Sequence, residues 1–153
     1  MRHGEAIAAA PDIERRLSEQ GVNEVIRAAK QIQEQDIVLD KILHSTAERT
    51  RATAEYLVQV NRFDPSIVEA RADFYQSTVG GLLQSVNEFD NDWKVVGIIG
   101  HNPTLSYLVE YLASNADNIY LDTAHAVLLS FESDSWVGIG QYTGTLEWHH
   151  GKA

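Results

Sequence analysis

The run from Lys94 to Gly100 (Lys-Val-Val-Gly-Ile-Ile-Gly) constrains the fold more than any other stretch of the chain. It is continuous, β-branched and free of polar alternation, so it is expected to form a strand buried on both faces, as in a parallel sheet covered by helices. His101, Asn102 and Pro103 follow it, with Asn102 suited to an N-cap and Pro103 to the first helical position. Leu105, Leu108, Val109 and Leu112 then continue as a helical stripe.

The same alternation recurs upstream. Val22, Val25, Ile26, Ala29 and Ile32 repeat at spacings of three and four, which predicts a helix over Ser18 to Glu34 with Ser18 as its N-cap. Asp40 to His44 reads as a short strand. Ser45, Thr46, Ala47 and Glu48 have the form of a capping box, opening a helix from Thr46 to about Val60. Asp64 and Pro65 mark a loop before an extended segment at Ser66 to Glu69. Arg71 to Gly81 carries no clean period, and Leu82 to Phe89 reads as a short helix. Ala126 to Phe131, Trp136 to Gly140 and Thr145 to Trp148 read as three late, partly antiparallel strands. Together these predict one α/β domain over residues 1–153, three layers α/β/α around a mostly parallel sheet, with ligands beyond the carboxyl ends of its strands.

The 153 residues contain 12 Lys and Arg against 22 Asp and Glu, a formal charge of -10. That balance argues against a nucleic-acid surface and makes any anion site a local cluster of cations. With no cysteine, thiolate catalysis, disulfides and thiolate metal sites are excluded. No apolar run approaches a membrane span and no signal-peptide pattern opens the chain, so a cytoplasmic protein without membrane contact is expected.

Four groups of residues occur in order: Arg2, His3, Gly4, Glu5 and Ala6; Arg16, Leu17 and Ser18 with Gly21; Ser45 with Arg49 and Thr53; and Gly100, His101, Asn102 and Pro103. Together they resemble the histidine phosphatase superfamily, whose fold is phosphoglycerate-mutase-like, and most of all its small SixA-type phosphohistidine phosphatases. The resemblance implies a phosphatase acting through a covalent phosphohistidine on His3, with Arg2, Arg49 and His101 around the phosphoryl oxygens. Arg16 is then a contact at the rim, with Asn102 and Ser45 as further substrate-binding residues. No metal and no cofactor is implied. The substrate would be a phosphorylated protein, such as a histidine phosphotransfer domain, or a small phosphorylated molecule. A general phosphomonoesterase and a catalytically silent phosphate-binding relative are the alternatives. The residue types suit the chemistry, because an imidazole is largely neutral near pH 7 and free to attack phosphorus, while guanidinium groups grip two oxygens at once. Gly4 is expected to let the backbone turn tightly after His3.

Blander readings stand beside these. Arg49 with Arg51 fits a solvated helix face, and His101 fits a capping residue. His125 reads as structural, His44 as the polar end of a strand or a neighbour of the site, and His149 with His150 as an exposed tail whose rings point to opposite faces. Two departures from the family pattern are visible. The hydrophobic first central strand that should precede Arg2 is missing from the numbered chain, so fraying of His3, weak stability or strand exchange is expected. In Asp73, Phe74, Tyr75, Gln76, Ser77 and Thr78, threonine stands where larger phosphomonoesterases carry an acidic proton donor, which favours a P–N substrate, with Asp73 or Glu69 the remaining donors to consider.

Overall fold

The computed structural model describes residues 1–150. Helix α1 (Glu19–Glu34) is followed by strand β1 (Lys41–Ser45), helix α2 (Glu48–Asn61), strand β2 (Val68–Arg71), helix α3 (Val79–Asn87), strand β3 (Val96–Ile99), helix α4 (Thr104–Leu112), strand β4 (Ala126–Phe131) and strand β5 (Gly144–His150). The parallel sheet runs β2-β1-β3, and β4 pairs antiparallel with β5. Alternation along β1 divides the core: Ile42 packs with Ala29, Ile32, Leu57 and Val58 of α1 and α2. Leu43 packs with Leu82, Leu105 and Leu108 of α3 and α4 on the other face. Helices on both faces of a mixed sheet give the three layers expected from the sequence.

Several local expectations hold and others fail for identifiable reasons. Ser18 caps α1, its hydroxyl accepting from Gly21 N at 2.9 Å. The predicted capping box does not form: α2 starts at Glu48, and the Ser45 hydroxyl is engaged with the His101 ring. Pro103 precedes the first residue of α4, while Asn102 Oδ1 still accepts from Ser106 N at 3.3 Å. Helix α3 begins at Val79, earlier than its apolar residues suggest, because Thr78 caps it by accepting from Gly81 N at 3.0 Å. Trp136 to Gly138 is a 3-10 turn and not a strand; Asn87 Nδ2 donates to its Trp136 carbonyl at 2.8 Å. His149 and His150 belong to β5 and are not a tail, with the His150 ring stacked on Trp148.

The sheet is interrupted between β3 and β4. Among the described residues, Met1 to His3 alone lie there, at the end nearest the predicted site. They are firmly held: Met1 N donates to Ile98 O at 2.8 Å, Gly100 N to Met1 O and His3 N to Gly100 O, both at 3.2 Å. On the other side Arg2 N donates to His125 O and Ala124 N to His3 O, each at 3.0 Å. His3 is therefore ordered by ladder hydrogen bonds, contrary to the expected fraying. The rest of the gap is an apolar groove of about 420 Å³, lined by Val96, Ile98, Val109, Leu112, Val127 and Leu129 among others. For that reason Val96, Gly97 and Ile98 are only half-buried, where the sequence predicts burial on both faces.

Candidate active site

The carboxyl ends of β1 and β3, the start of the chain and the first turns of α2 and α4 converge on a second cavity, of about 520 Å³. Its walls include Arg2, His3, Glu5, Asp12, Arg15, Arg49, Tyr75, His101, Asn102 and Thr123. His3 enters it directly from the ladder, and Gly4 N, donating to Thr53 Oγ1 at 3.2 Å, ties the next residue to α2. A side chain at Gly4 would place its Cβ 2.6 Å from Gly21 O and 2.7 Å from Val25 Cγ2. Among the described residues no glycine has a positive φ, so close approach to α1, and not a left-handed turn, is what requires glycine here.

The rings have defined proton positions. His3 Nδ1–H donates to Gly4 O at 2.6 Å, which leaves the Nε2 lone pair to accept from Arg49 Nε at 3.3 Å. His101 lies 5.2 Å from His3 between ring centroids, in an edge-to-face arrangement. Its Nε2 is 2.6 Å from Ser45 Oγ, and its Nδ1 accepts from Arg49 Nη2 at 3.4 Å, so Nε2 carries the proton. Ser45 in turn lies 2.9 Å from Thr50 Oγ1. Arg49 thus bonds both rings from a position that is itself buried.

Both imidazoles are neutral near pH 7. Burial, reinforced by His101, Arg49 and Arg2, lowers the pKa of His3 from 6.5 to about 3. Burial and Arg49 lower that of His101 to about 4. The local cluster of cations expected from the charge balance therefore consists of guanidinium groups, and the rings are neutral. Arg2 Nη1 donates to Leu121 O at 3.0 Å, while Arg2 Nε and Thr123 Oγ1 are buried with no hydrogen-bond partner among the described residues.

Of the residues singled out from sequence, Arg2, His3, Arg49, His101 and Asn102 line this cavity. Asn102 is largely committed to the protein, donating to Leu121 O at 2.6 Å and accepting from Ser106 Oγ at 2.9 Å. Ser45 is fully buried behind His101 and does not line the wall. Arg16 is exposed and does not line the cavity, its charge felt by Glu48. Its neighbour Arg15 faces the cavity instead, with Nε donating to Ile7 O at 2.8 Å. The segment from Arg15 to Leu17 is extended and bridged to Ala6, so alternate residues face opposite sides. Asp73 pairs with Arg71, and Glu69 with Lys41, so neither is in the cavity. His44 donates to its neighbouring Ser45 carbonyl at 2.7 Å and lies outside it, as does His125, which faces His149. Asp12 and Tyr75, which the sequence did not single out as site residues, do lie in it. Among the described residues no three His, Asp or Glu side chains gather around one possible metal position. No helix of the described residues is long and apolar enough to cross a membrane.

No protein-family model matches the chain, and no curated protein does. Solved structures do. The protein histidine phosphatase SixA, solved with tungstate, superposes with a TM-score of 0.83 at 25% identity, over 99% of this chain and 94% of that one. A structure described as a SixA phosphohistidine phosphatase, from Nakamurella multipartitia, gives 0.84 at 24% identity over 100% and 94%. The alpha-ribazole phosphatase from Shigella flexneri gives 0.69 at 14% identity over 96% and 92%. The chain has the histidine phosphatase fold. Within that fold its likeness is greater to the SixA structures than to this small-molecule phosphatase.

Proposed function

We propose that the chain is a phosphohistidine phosphatase, with His3 as the nucleophile. The observation that carries this reading is a neutral His3 whose unprotonated Nε2, oriented by its own Nδ1–H bond, accepts from Arg49 Nε in a cavity walled by guanidinium groups. Arg2, Arg15 and Arg49 take the phosphoryl oxygens, where charge spreads in the transition state. His3 Nε2 attacks phosphorus in line, and water then releases phosphate from the phosphohistidine so formed. His101, held by Ser45, gains proton affinity when a dianion enters beside it and becomes a further donor to the phosphoryl group. No step calls on a metal ion. The likeness to SixA solved with tungstate, a tetrahedral oxyanion, supports a phosphoryl site. A phosphorylated protein, such as a histidine phosphotransfer domain, is the favoured partner. Small phosphate esters are the second choice, since the small-molecule phosphatase among the similar structures is the more distant one.

Replacing His3 by Ala is expected to lower turnover of a phosphohistidine substrate by about a thousandfold or more, and to abolish an acid-labile, base-stable phosphoryl label on the protein. Retained turnover in that variant excludes the scheme. Tight vanadate binding without hydrolysis of any phosphoramidate identifies a silent binding relative.

A further inference from the structure

Asp12 brings a carboxylate to the mouth of a cavity rich in guanidinium groups and imidazoles. Asp12 lies on a short 3-10 turn in a loop whose neck is closed by the Ala6–Leu17 bridge and by Ile7 N donating to Arg16 O. Its main-chain carbonyl accepts from Arg49 Nη1 at 2.8 Å. Its Oδ2 accepts from Arg49 Nη2 at 3.1 Å and from the Tyr75 hydroxyl at 2.7 Å, and its Oδ1 from Arg15 Nη1 at 3.3 Å. Tyr75 stands edge-on to His101, 5.7 Å between centroids. The carboxylate is half-exposed at the cavity mouth, on the same guanidinium that bonds the nucleophile.

For an ester substrate this group is a handicap. It repels the phosphoryl dianion, and, ionised, it has no proton for a departing alkoxide. The Tyr75 and Arg49 hydrogen bonds keep it ionised, holding its pKa well below the usual carboxylate range. For a phosphorylated imidazole the same group is useful. The ring nitrogen not bonded to phosphorus carries a proton when the ring is ready to leave, and a carboxylate is the natural acceptor for that polarised N–H.

We infer that Asp12, braced by Tyr75, accepts the distal ring N–H of an N-phosphorylated imidazole and thereby selects phosphohistidine over phosphate esters; this rests on the phosphatase reading above. In the transfer step a bond forms between His3 Nε2 and phosphorus, and the P–N bond of the substrate breaks. The electron pair stays on the departing ring nitrogen. The proton on the other ring nitrogen remains there, so neutral imidazole leaves and no external acid is consumed. Water then attacks phosphorus and the bond to Nε2 breaks with its pair returning to His3; one proton of the water stays on the phosphate, leaving it as hydrogen phosphate, and the other passes to solvent.

The test compares kcat/KM for N-phosphoimidazole with that for p-nitrophenyl phosphate. The ratio is expected to fall about tenfold or more in Asp12→Asn, the scale of a lost charge-assisted hydrogen bond, and to be largely preserved in Asp12→Glu. Tyr75→Phe, which keeps the carboxylate but loosens it, is expected to lower the ratio by a smaller factor and serves where the Asp12 variants do not fold. Two results overturn the inference: an unchanged ratio with both activities raised, which makes Asp12 a plug for the anion seat, or both activities lowered together, which makes it a structural anchor. A wild-type protein that hydrolyses neither compound refutes the phosphatase reading and this inference with it.

Discussion

Met1 to His3 stand between two cavities of similar volume, about 520 Å³ on one side and about 420 Å³ on the other, and of opposite character. The first is walled by guanidinium groups, imidazoles and a phenol whose hydrogen bonds mostly point at one another. The second is walled by Val, Ile, Leu and Phe along β3, α4 and β4. Because the ladder bonds of Met1, Arg2 and His3 hold the proposed nucleophile locally, the polar cavity is assembled independently of the groove next to it. Chemistry and stability thus rest on different regions, and each can be perturbed separately.

The largest perturbation is to fill the groove. Six β-branched residues fused ahead of Met1 would run parallel to β3 and antiparallel to β4, following the register set by Arg2 opposite Gly100 and by the Arg2 N to His125 O bond. Buried side chains and new ladder bonds, less the entropy of ordering the strand, should stabilise the fold by about 3 kcal/mol. For a chain of this length that raises Tm by about 6–12 °C. An unchanged calorimetric Tm would mean that the groove does not accept a strand.

Acid acts on the other region. His3 and His101 have folded-state pKa values of about 3 and about 4, against 6.5 for a free ring. Between those limits the unfolded chain binds more protons than the folded one, so stability is fully present above pH 6.5 and declines as pH falls through the window. A loss of about 4 kcal/mol between pH 7.5 and pH 5, about 2 from each ring, is expected. Urea midpoints at both pH values measure it, and a His101→Asn variant should show a shallower slope.

Two smaller changes sharpen the contrast. Ser45→Ala strips His101 Nε2–H of its acceptor; about 1.5 kcal/mol of stability and roughly tenfold in kcat should be lost, measured by denaturant titration and steady-state kinetics. Leu129→Ala, in the half-buried wall of the groove, should cost only about 1 kcal/mol, below the usual range for a closed core, and leave kcat unaltered. A cost of 3 kcal/mol or more in chemical denaturation would show that the groove closes in solution.

Much of the scaffold was legible in the chain because it depends on local patterns. The stripe of α4, the cap at Ser18 and the strand at Lys94 to Gly100 each follow from neighbours within a few residues. Ser45 was misread as a cap because its true partner, His101, is distant in sequence and near only after β1 and β3 pair. Trp136 to Gly138 alternates like a strand but is captured by Asn87 from α3. Within the site, Arg2, His3, Arg49 and His101 are picked out by the resemblance of four ordered motifs to the histidine phosphatase superfamily, while Arg49 and His101 taken alone read equally as a solvated helix face and a capping residue. The choice between Arg15 and Arg16 turned on which side of an extended segment faces inward, a signal present in Leu17, whose inward side Arg15 shares. Asp12 and Tyr75 carried no such signal, since their meeting depends on two loops folding over the same opening.

The contact between Gly4 and α1 has a further consequence for how this sequence can drift. A Cβ on Gly21 would lie 2.0 Å from Glu5 O, and one on Gly4 would strike the Gly21 carbonyl, so neither position tolerates even a methyl without parting the helix from the segment that follows His3. In a saturation library scored for phosphoryl turnover, these two sites should be depleted of every replacement, and no paired substitution between them should rescue either, because main-chain atoms supply the obstacle on both sides.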